Sequence, residues 1–317
     1  MIPYEWVTQS AGRIRPHIRI TPITHDKDEN LYLKWENHQV TGSFKVRGAL
    51  NKILTLDPKV LNKGLVAASA GNHGQGVALA GNMVGANVTI FCSENAVPTK
   101  VNAMKSLGAN VKMIRGGYAE AETAGKKYTQ YHQACWVSPY NDEQVIAGQA
   151  TLGLEILDNL PVITDAVWCV PVGGGGLISG IGIALRYNHP NSKLIGVQSA
   201  ASPFFYSIFH HSTQKNVIEG PSLADGLAGS VDSESITIPL IKELVDDIIL
   251  VSETEIRNAI HYAWTKYEEM IEGSAAVSLA AVLTGKIKKR PVVVILSGGN
   301  IQPELHAEIV GNVINQE

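Results

Sequence analysis

Cysteine is scarce in this chain, three in 317 residues. Cys92, Cys135 and Cys169 are widely spaced, and each lies in or beside an apolar run. They read as buried reduced thiols, with neither a disulfide framework nor metal-ligand spacing. Charge is also thin: 17% of residues are charged, and the formal net charge is −3. With no basic cluster and no interleaving of basic and aromatic residues, nucleic acid is excluded as a partner. The longest basic run, Lys288-Lys289-Arg290, precedes a strand-like segment and suits a solvated loop. No apolar run approaches the roughly 20 residues that a membrane helix requires. Met1-Ile2-Pro3-Tyr4-Glu5-Trp6 lacks the basic-then-apolar pattern of a secretory signal, so a cytoplasmic protein is expected. Apolar residues, by contrast, make up 45% of the chain, enough at this length for two domains and a large buried core.

The order of segments indicates an α/β fold. Residues 1–36 read as a helix at Glu5–Ile14, a crossing segment through Pro16 and Pro22, and a strand at Leu31–Trp35. A helix from about Ser43 to Leu56 follows, ended by Asp57-Pro58. Strands at 65–69, 87–92, 110–114 and 135–138 then alternate with helices at 72–84, 99–107 and 119–133. A second alternation begins with a helix at 145–157, a strand at 166–171, a helix at 177–187 and a strand at 194–198. An irregular region extends to about Asp232; beyond it come strands at 248–251 and 292–296 and helices at 253–267 and 274–283. Short apolar runs alternating with helices predict two open, twisted, mostly parallel sheets with helices on both faces. The expected division is a large domain of residues 1–63 and 142–317 and a smaller inserted domain of residues 64–141, with the site in the cleft between them.

Four segments carry chemistry. Thr41-Gly42-Ser43-Phe44-Lys45-Val46-Arg47-Gly48-Ala49 sets a lysine where a helix begins. Lys45 is either a solvated surface lysine or a desolvated amine that forms a Schiff base with an aldehyde cofactor. Gly173-Gly174-Gly175-Gly176-Leu177 follows a buried strand and opens a helix, so backbone N–H groups and the helix dipole converge on an anion. The spacing fits neither a Walker loop nor a dinucleotide fingerprint, and a compact phosphate monoester suits it better. Ser69-Ala70-Gly71-Asn72-His73 is another strand-to-helix turn, able to cradle a carboxylate; Asn72 serves there either as a helix cap or as a donor to a hydroxyl, and His73 reads as structural. Leu296-Ser297-Gly298-Gly299-Asn300 closes a third strand without the nucleophile elbow of a hydrolase.

In this order the segments resemble fold-type II pyridoxal-phosphate enzymes, the tryptophan-synthase-β-like superfamily. Pro139-Tyr140-Asn141-Asp142, Val145-Ile146-Ala147-Gly148-Gln149, Leu223-Ala224-Asp225-Gly226 and Glu243-Leu244-Val245-Asp246-Asp247 narrow the resemblance to the threonine dehydratase and serine racemase branch. The resemblance spans nearly the whole chain and ends near Ile301, which looks like the short, catabolic form without a regulatory domain.

The resemblance implies pyridoxal 5'-phosphate as cofactor. Lys45 would carry the Schiff base and Phe44 would pack beside the ring. Gly173, Gly174, Gly175, Gly176 and Leu177 would hold the phosphate, Asn72 the ring hydroxyl, and Ser297 would face the ring nitrogen. Ser69, Ala70, Gly71, Asn72 and His73 would bind the substrate carboxylate.

Two positions depart from the branch. Ala70 stands where serine racemases place an acid/base serine, so elimination should dominate over racemisation. Gln198 and Phe204 stand where the branch places divalent-metal ligands, so no metal is expected. The implied reaction is β-elimination of L-threonine, and of L-serine, to a 2-oxo acid and ammonia. The alternatives are a serine racemase, a β-hydroxyaspartate dehydratase, a cysteine-synthase-like replacement enzyme and a cofactor carrier without turnover. The implied partners are an amino-acid substrate and further copies of the chain, in a homodimer or homotetramer.

Overall fold

The strands are short, almost wholly apolar runs. Val167–Pro171 and Val292–Leu296 are buried at every position, as strands covered on both faces must be. A computed structural model describes residues 2–160 and 163–311. It opens with α1 (Tyr4–Ile14), β1 (Ile23–Asp26), β2 (Leu31–Trp35), α2 (Lys45–Leu54) and α3 (Pro58–Leu61). Next come β3 (Leu65–Ala68), α4 (Asn72–Met83), β4 (Val88–Ser93), α5 (Pro98–Ser106), β5 (Asn110–Ile114), α6 (Tyr118–His132) and β6 (Cys135–Trp136). The rest comprises α7 (Glu143–Asn159), β7 (Val167–Pro171), α8 (Gly176–Asn188), β8 (Lys193–Ser199), α9 (Phe204–His211) and α10 (Thr237–Leu244). It ends with β9 (Asp247–Val251), α11 (Glu253–Tyr267), α12 (Gly273–Leu283), β10 (Val292–Leu296) and α13 (Pro303–Gly311).

Two sheets result. One has six strands in the order β1-β2-β10-β7-β8-β9, the other four in the order β5-β4-β3-β6. All pairings are parallel except β1 with β2, an antiparallel edge. β2 lies before the four-stranded unit in sequence and pairs with β10 in the larger sheet, with Leu31 opposite Val292 and Trp35 opposite Leu296. That register brings the segment after β2 to the end of β10. There Phe44 N–H donates to Ser297 C=O at 3.0 Å, and Ser43 bridges Gly298. The C-terminal ends of β3, β7 and β10 thus carry the asparagine turn, the glycine loop and Ser297, as open parallel sheets present their ligand sites. α12, buried along nearly its whole length, covers one face of the large sheet; α7 and α8 cover the other.

The structure corrects the expected elements at several points. α2 begins at Lys45, with Phe44 as its cap residue and no side-chain capping bond from Ser43. The region expected to be irregular contains α9, an aromatic run entered through Pro203. α10 carries Pro239 at its third position, where a missing N–H costs the helix nothing. β1 has too little alternation to be recognised as a strand. Cys92 and Cys169 are buried as expected, but Cys135 is only half-buried.

Candidate active site

Lys45 is the first residue of a helix held very closely by its neighbours. A Cβ on Gly148 of α7 would lie 2.6 Å from Arg47 C=O and 2.7 Å from Gly48 Cα, so α7 meets α2 backbone to backbone. On the other side, a Cβ on Gly76 of α4 would stand 3.2 Å from the Lys45 carbonyl carbon. Lacking Cβ atoms, these glycines let two helices grip the turn that carries the lysine. The Lys45 ammonium donates to Pro139 C=O at 3.1 Å and lies 5.2 Å from the centroid of the Phe44 ring. Desolvation pulls it down from 10.5 to about 8 even though the charge of Glu272 opposes the shift. A solvated surface lysine is thereby ruled out.

Asn72 is not a helix cap. α4 starts at Asn72 with Gly71 before it, and the Asn72 side chain is engaged elsewhere. Its Nδ2 donates to Glu272 Oε1 at 2.7 Å, and its Oδ1 accepts from Asn300 Nδ2 at 2.7 Å. Asn300 also donates to Thr41 C=O at 2.9 Å, which closes a chain of contacts back to the lysine segment. Glu272, absent from the expected residues, is buried at 5% exposure. Burial raises its carboxyl to about 7, helped by the nearby charge of Asp225 and opposed by Lys100, Asn72 and Lys45. Its signal was present: one acidic residue standing before the apolar run Gly273–Leu283.

His73 is buried, and its Nε2–H donates to Val137 C=O at 2.8 Å, two residues before the carbonyl that holds Lys45. Desolvation and the neighbouring Lys45 charge depress it to about 3, so it stays neutral. Ser69 is buried, and its hydroxyl accepts from Gly71 N–H at 3.1 Å; Ala70 is exposed on the turn.

The glycine loop forms the opposite wall. Gly175 has φ +89°, in the left-handed region that favours glycine, and leads directly into α8. A Cβ on Gly174 would come within 2.3 Å of the Tyr140 ring. Thr237 Oγ1 donates to Gly174 C=O at 2.8 Å, and Leu227 Cα would lie 3.1 Å from a Cβ on Gly173. Leu177 is buried in the core behind the loop, and Ser297 is 2% exposed at the end of β10. Pro139 and Tyr140 join the two walls: the carbonyl of one holds the lysine and the ring of the other lies on the loop.

The arrangement combines a desolvated amine with a loop of four glycines that opens a helix. The family model described as pyridoxal-phosphate dependent enzyme matches residues 10–298. The chain belongs to that family. It is 38% identical to an L-threonine ammonia-lyase of Geobacter sulfurreducens over 98% of this chain and 78% of that protein. Against an L-threonine ammonia-lyase of Thermotoga maritima it is 41% identical over 88% of this chain and 69% of that protein. The fold matches that of maize serine racemase with a TM-score of 0.90 and 28% identity, covering 98% of this chain and 97% of the racemase.

The cofactor is pyridoxal phosphate, and this site fits it. Buried hydroxyls of Thr41 and Ser43 and the Nδ1 of His73, all in the lysine segment or the asparagine turn, have no partner among the described residues. Buried polar atoms left in that state call for a ligand. Gly173 to Gly176 leave backbone where any side chain would strike Leu227, Tyr140 or Thr237.

Proposed function

We propose that this member of the family is a lyase that dehydrates and deaminates L-threonine, and L-serine as well, to 2-oxobutyrate or pyruvate and ammonia. The observation that carries the reading is the Lys45 amine, half-buried, held by one carbonyl and lowered by desolvation to about 8. Both threonine ammonia-lyase relatives support the same substrate. Bound pyridoxal phosphate supplies an electron sink for the pair left behind when the α-proton departs.

The protein does the rest. Lys45 Nζ is both the point of attachment and the base that takes the proton from the substrate Cα, a role that suits an amine titrating near neutrality. Phe44 would pack beside the ring. The backbone N–H groups of Gly173 to Leu177 and the start of α8 would hold the phosphate. Asn72 Nδ2 would bond the ring hydroxyl, its orientation set by Glu272 on one side and Asn300 on the other. Ser297, a neutral group, would serve the ring nitrogen without protonating it. The turn from Ser69 to His73 takes the substrate carboxylate. Ala70 has no proton to give to the opposite face of the substrate, which favours elimination over racemisation. Residues 64–141 form the smaller domain and close on residues 1–63 and 142–317 around the bound substrate. Assembly as a homodimer or homotetramer and residence in the cytoplasm belong to the same proposal; among the described residues no helix is long and apolar enough to cross a membrane.

The test is the visible spectrum of the purified protein during addition of L-threonine, with 2-oxobutyrate followed in parallel. A cofactor band together with the oxo acid is expected; a band that responds to L-threonine without any oxo acid would overturn the lyase. Ala70→Ser should raise formation of the D-amino acid from a low baseline, and chiral chromatography reads it. No D-product from that variant would mean that Ala70 is not what disfavours racemisation.

A further inference from the structure

The turn proposed to take the carboxylate has no cation of its own. Ser69, Ala70, Gly71, Asn72 and His73 offer backbone N–H groups and a hydroxyl already accepting from Gly71 N–H, and His73 is neutral. An ammonium reaches it from α5. A Cβ built on Gly71 would lie 3.6 Å from Lys100 Cδ and 3.9 Å from its Nζ, so the Lys100 side chain overhangs the turn.

That ammonium is paired, and its partner is on the other wall. Lys100 Nζ lies 2.8 Å from Asp225 Oδ2. Asp225 is followed by Gly226 and Leu227, the residues that back Gly173 of the glycine loop. The ion pair therefore links the asparagine turn to the segment behind the glycine loop. Its two ends differ: the Lys100 side chain is 15% exposed and that of Asp225 is 58% exposed. Releasing Asp225 leaves a carboxylate that water already reaches, whereas Lys100 stays in a sheltered position where a new charge-assisted bond is strong.

We propose that Lys100 is a substrate-binding residue that exchanges its partner, from Asp225 to the carboxylate of the incoming amino acid, with Asp225 competing against the substrate. This deepens the reading under Proposed function and rests on it, since it takes the Ser69 to His73 turn as the carboxylate site. It predicts opposite effects for the two partners of one ion pair. Removing Lys100 removes a contact with the substrate; removing the charge of Asp225 removes a competitor.

The experiment uses the cofactor-loaded enzyme and three variants. Lys100→Met should raise KM for L-threonine about tenfold or more, the loss of one bond between charged groups, with kcat changed much less. Lys100→Arg should restore most of that affinity. Asp225→Asn should lower KM two- to fivefold. Calorimetric binding of L-alanine, which has no β-leaving group, should move in the same two directions. A plain clasp between the walls predicts one direction for both variants, with loss of thermal stability in each. Should Lys100→Met fail to fold, Lys100→Gln and Asp225→Asn carry the sign test. Equal signs, or an unchanged KM in the Lys100 variants, overturn the proposal while oxo-acid formation by the unaltered enzyme keeps the lyase reading. If the unaltered enzyme forms no oxo acid from L-threonine, the lyase reading fails and this proposal fails with it.

Discussion

Lys45 and Arg47 stand two residues apart on the first turn of α2, and their surroundings are opposite. Arg47 is fully buried and fully paired: its Nε and NH2 donate to the two oxygens of Glu36 at 2.8 and 2.7 Å, and NH1 lies 2.9 Å from Glu155. Glu155 also pairs with Lys34, and Thr21 donates to both acids. Two cations and two anions thus balance, and the two carboxylates raise the Arg47 guanidinium above its ordinary value. Lys45 has one carbonyl at 3.1 Å, a distant opposite charge in Glu272 and a value lowered by burial. One cation is held so that it cannot change, and the other is left able to lose its proton. The saturated cluster ties α2 to β2, to the segment after β2 and to α7, which fixes the helix whose first residue is the reactive one.

Removing each cation in turn tests that contrast. Lys45→Ala should abolish the cofactor band and lower turnover by at least about 10⁴, the upper end of what one general base contributes. Its unfolding midpoint in urea should not fall, because the residue removed was poorly satisfied. An active, coloured Lys45→Ala protein would sink the assignment. Arg47→Met should behave in the opposite way, with a loss of about 3–5 kcal/mol because Glu36 and Glu155 remain buried without their partner. Arg47→Lys should fall between the two, since an ammonium cannot make the paired donation of a guanidinium. Equal stability losses at positions 45 and 47 would dissolve the distinction.

The two regions also differ in how well they can be read from sequence. Lys45, the glycine loop and the asparagine turn are local: each is a strand end followed by small residues and a helix start, and chain order alone brings such ends to one edge of a parallel sheet. The strands Asn110–Ile114 and Val292–Leu296 and the helix Glu253–Tyr267 have the expected bounds for the same reason, because their periodicity and caps lie within the segment. Arg47's partners stand at positions 36 and 155, the second shared with Lys34, and nothing in the spacing of Lys34, Glu36 and Glu155 indicates that they meet. Glu272 lies 200 residues from Asn72, and Tyr140 reaches Gly174 only through the joint between the sheets. α9 was hidden because Phe204-Phe205-Tyr206 favours a strand by composition, and its packing under the large sheet decides otherwise.

The finest form of the contrast is a carboxylate. Glu36 and Glu155 are surrounded by cations, whereas Glu272 accepts from the Asn72 amide and faces the Lys45 and Lys100 charges from further off, with Asp225 opposing them. Its folded value of about 7 exceeds the ordinary 4.5, so the native state holds a proton that the unfolded chain has already lost between those limits. Stability contributed by that proton is complete below about pH 4.5 and is lost as the pH rises through 7. Glu272→Gln keeps an acceptor for Asn72 Nδ2 and removes the titration. The stability of the unaltered protein minus that of the variant should therefore fall by about 3 kcal/mol between the ordinary value and the raised one, then level off. Urea unfolding at half-unit pH steps measures this difference, and carboxylates that titrate alike in both proteins cancel from it. A difference that rises with pH would mean that Glu272 is charged and paired in the folded protein, and the surroundings of Lys45 and Arg47 would then be alike in their carboxylates.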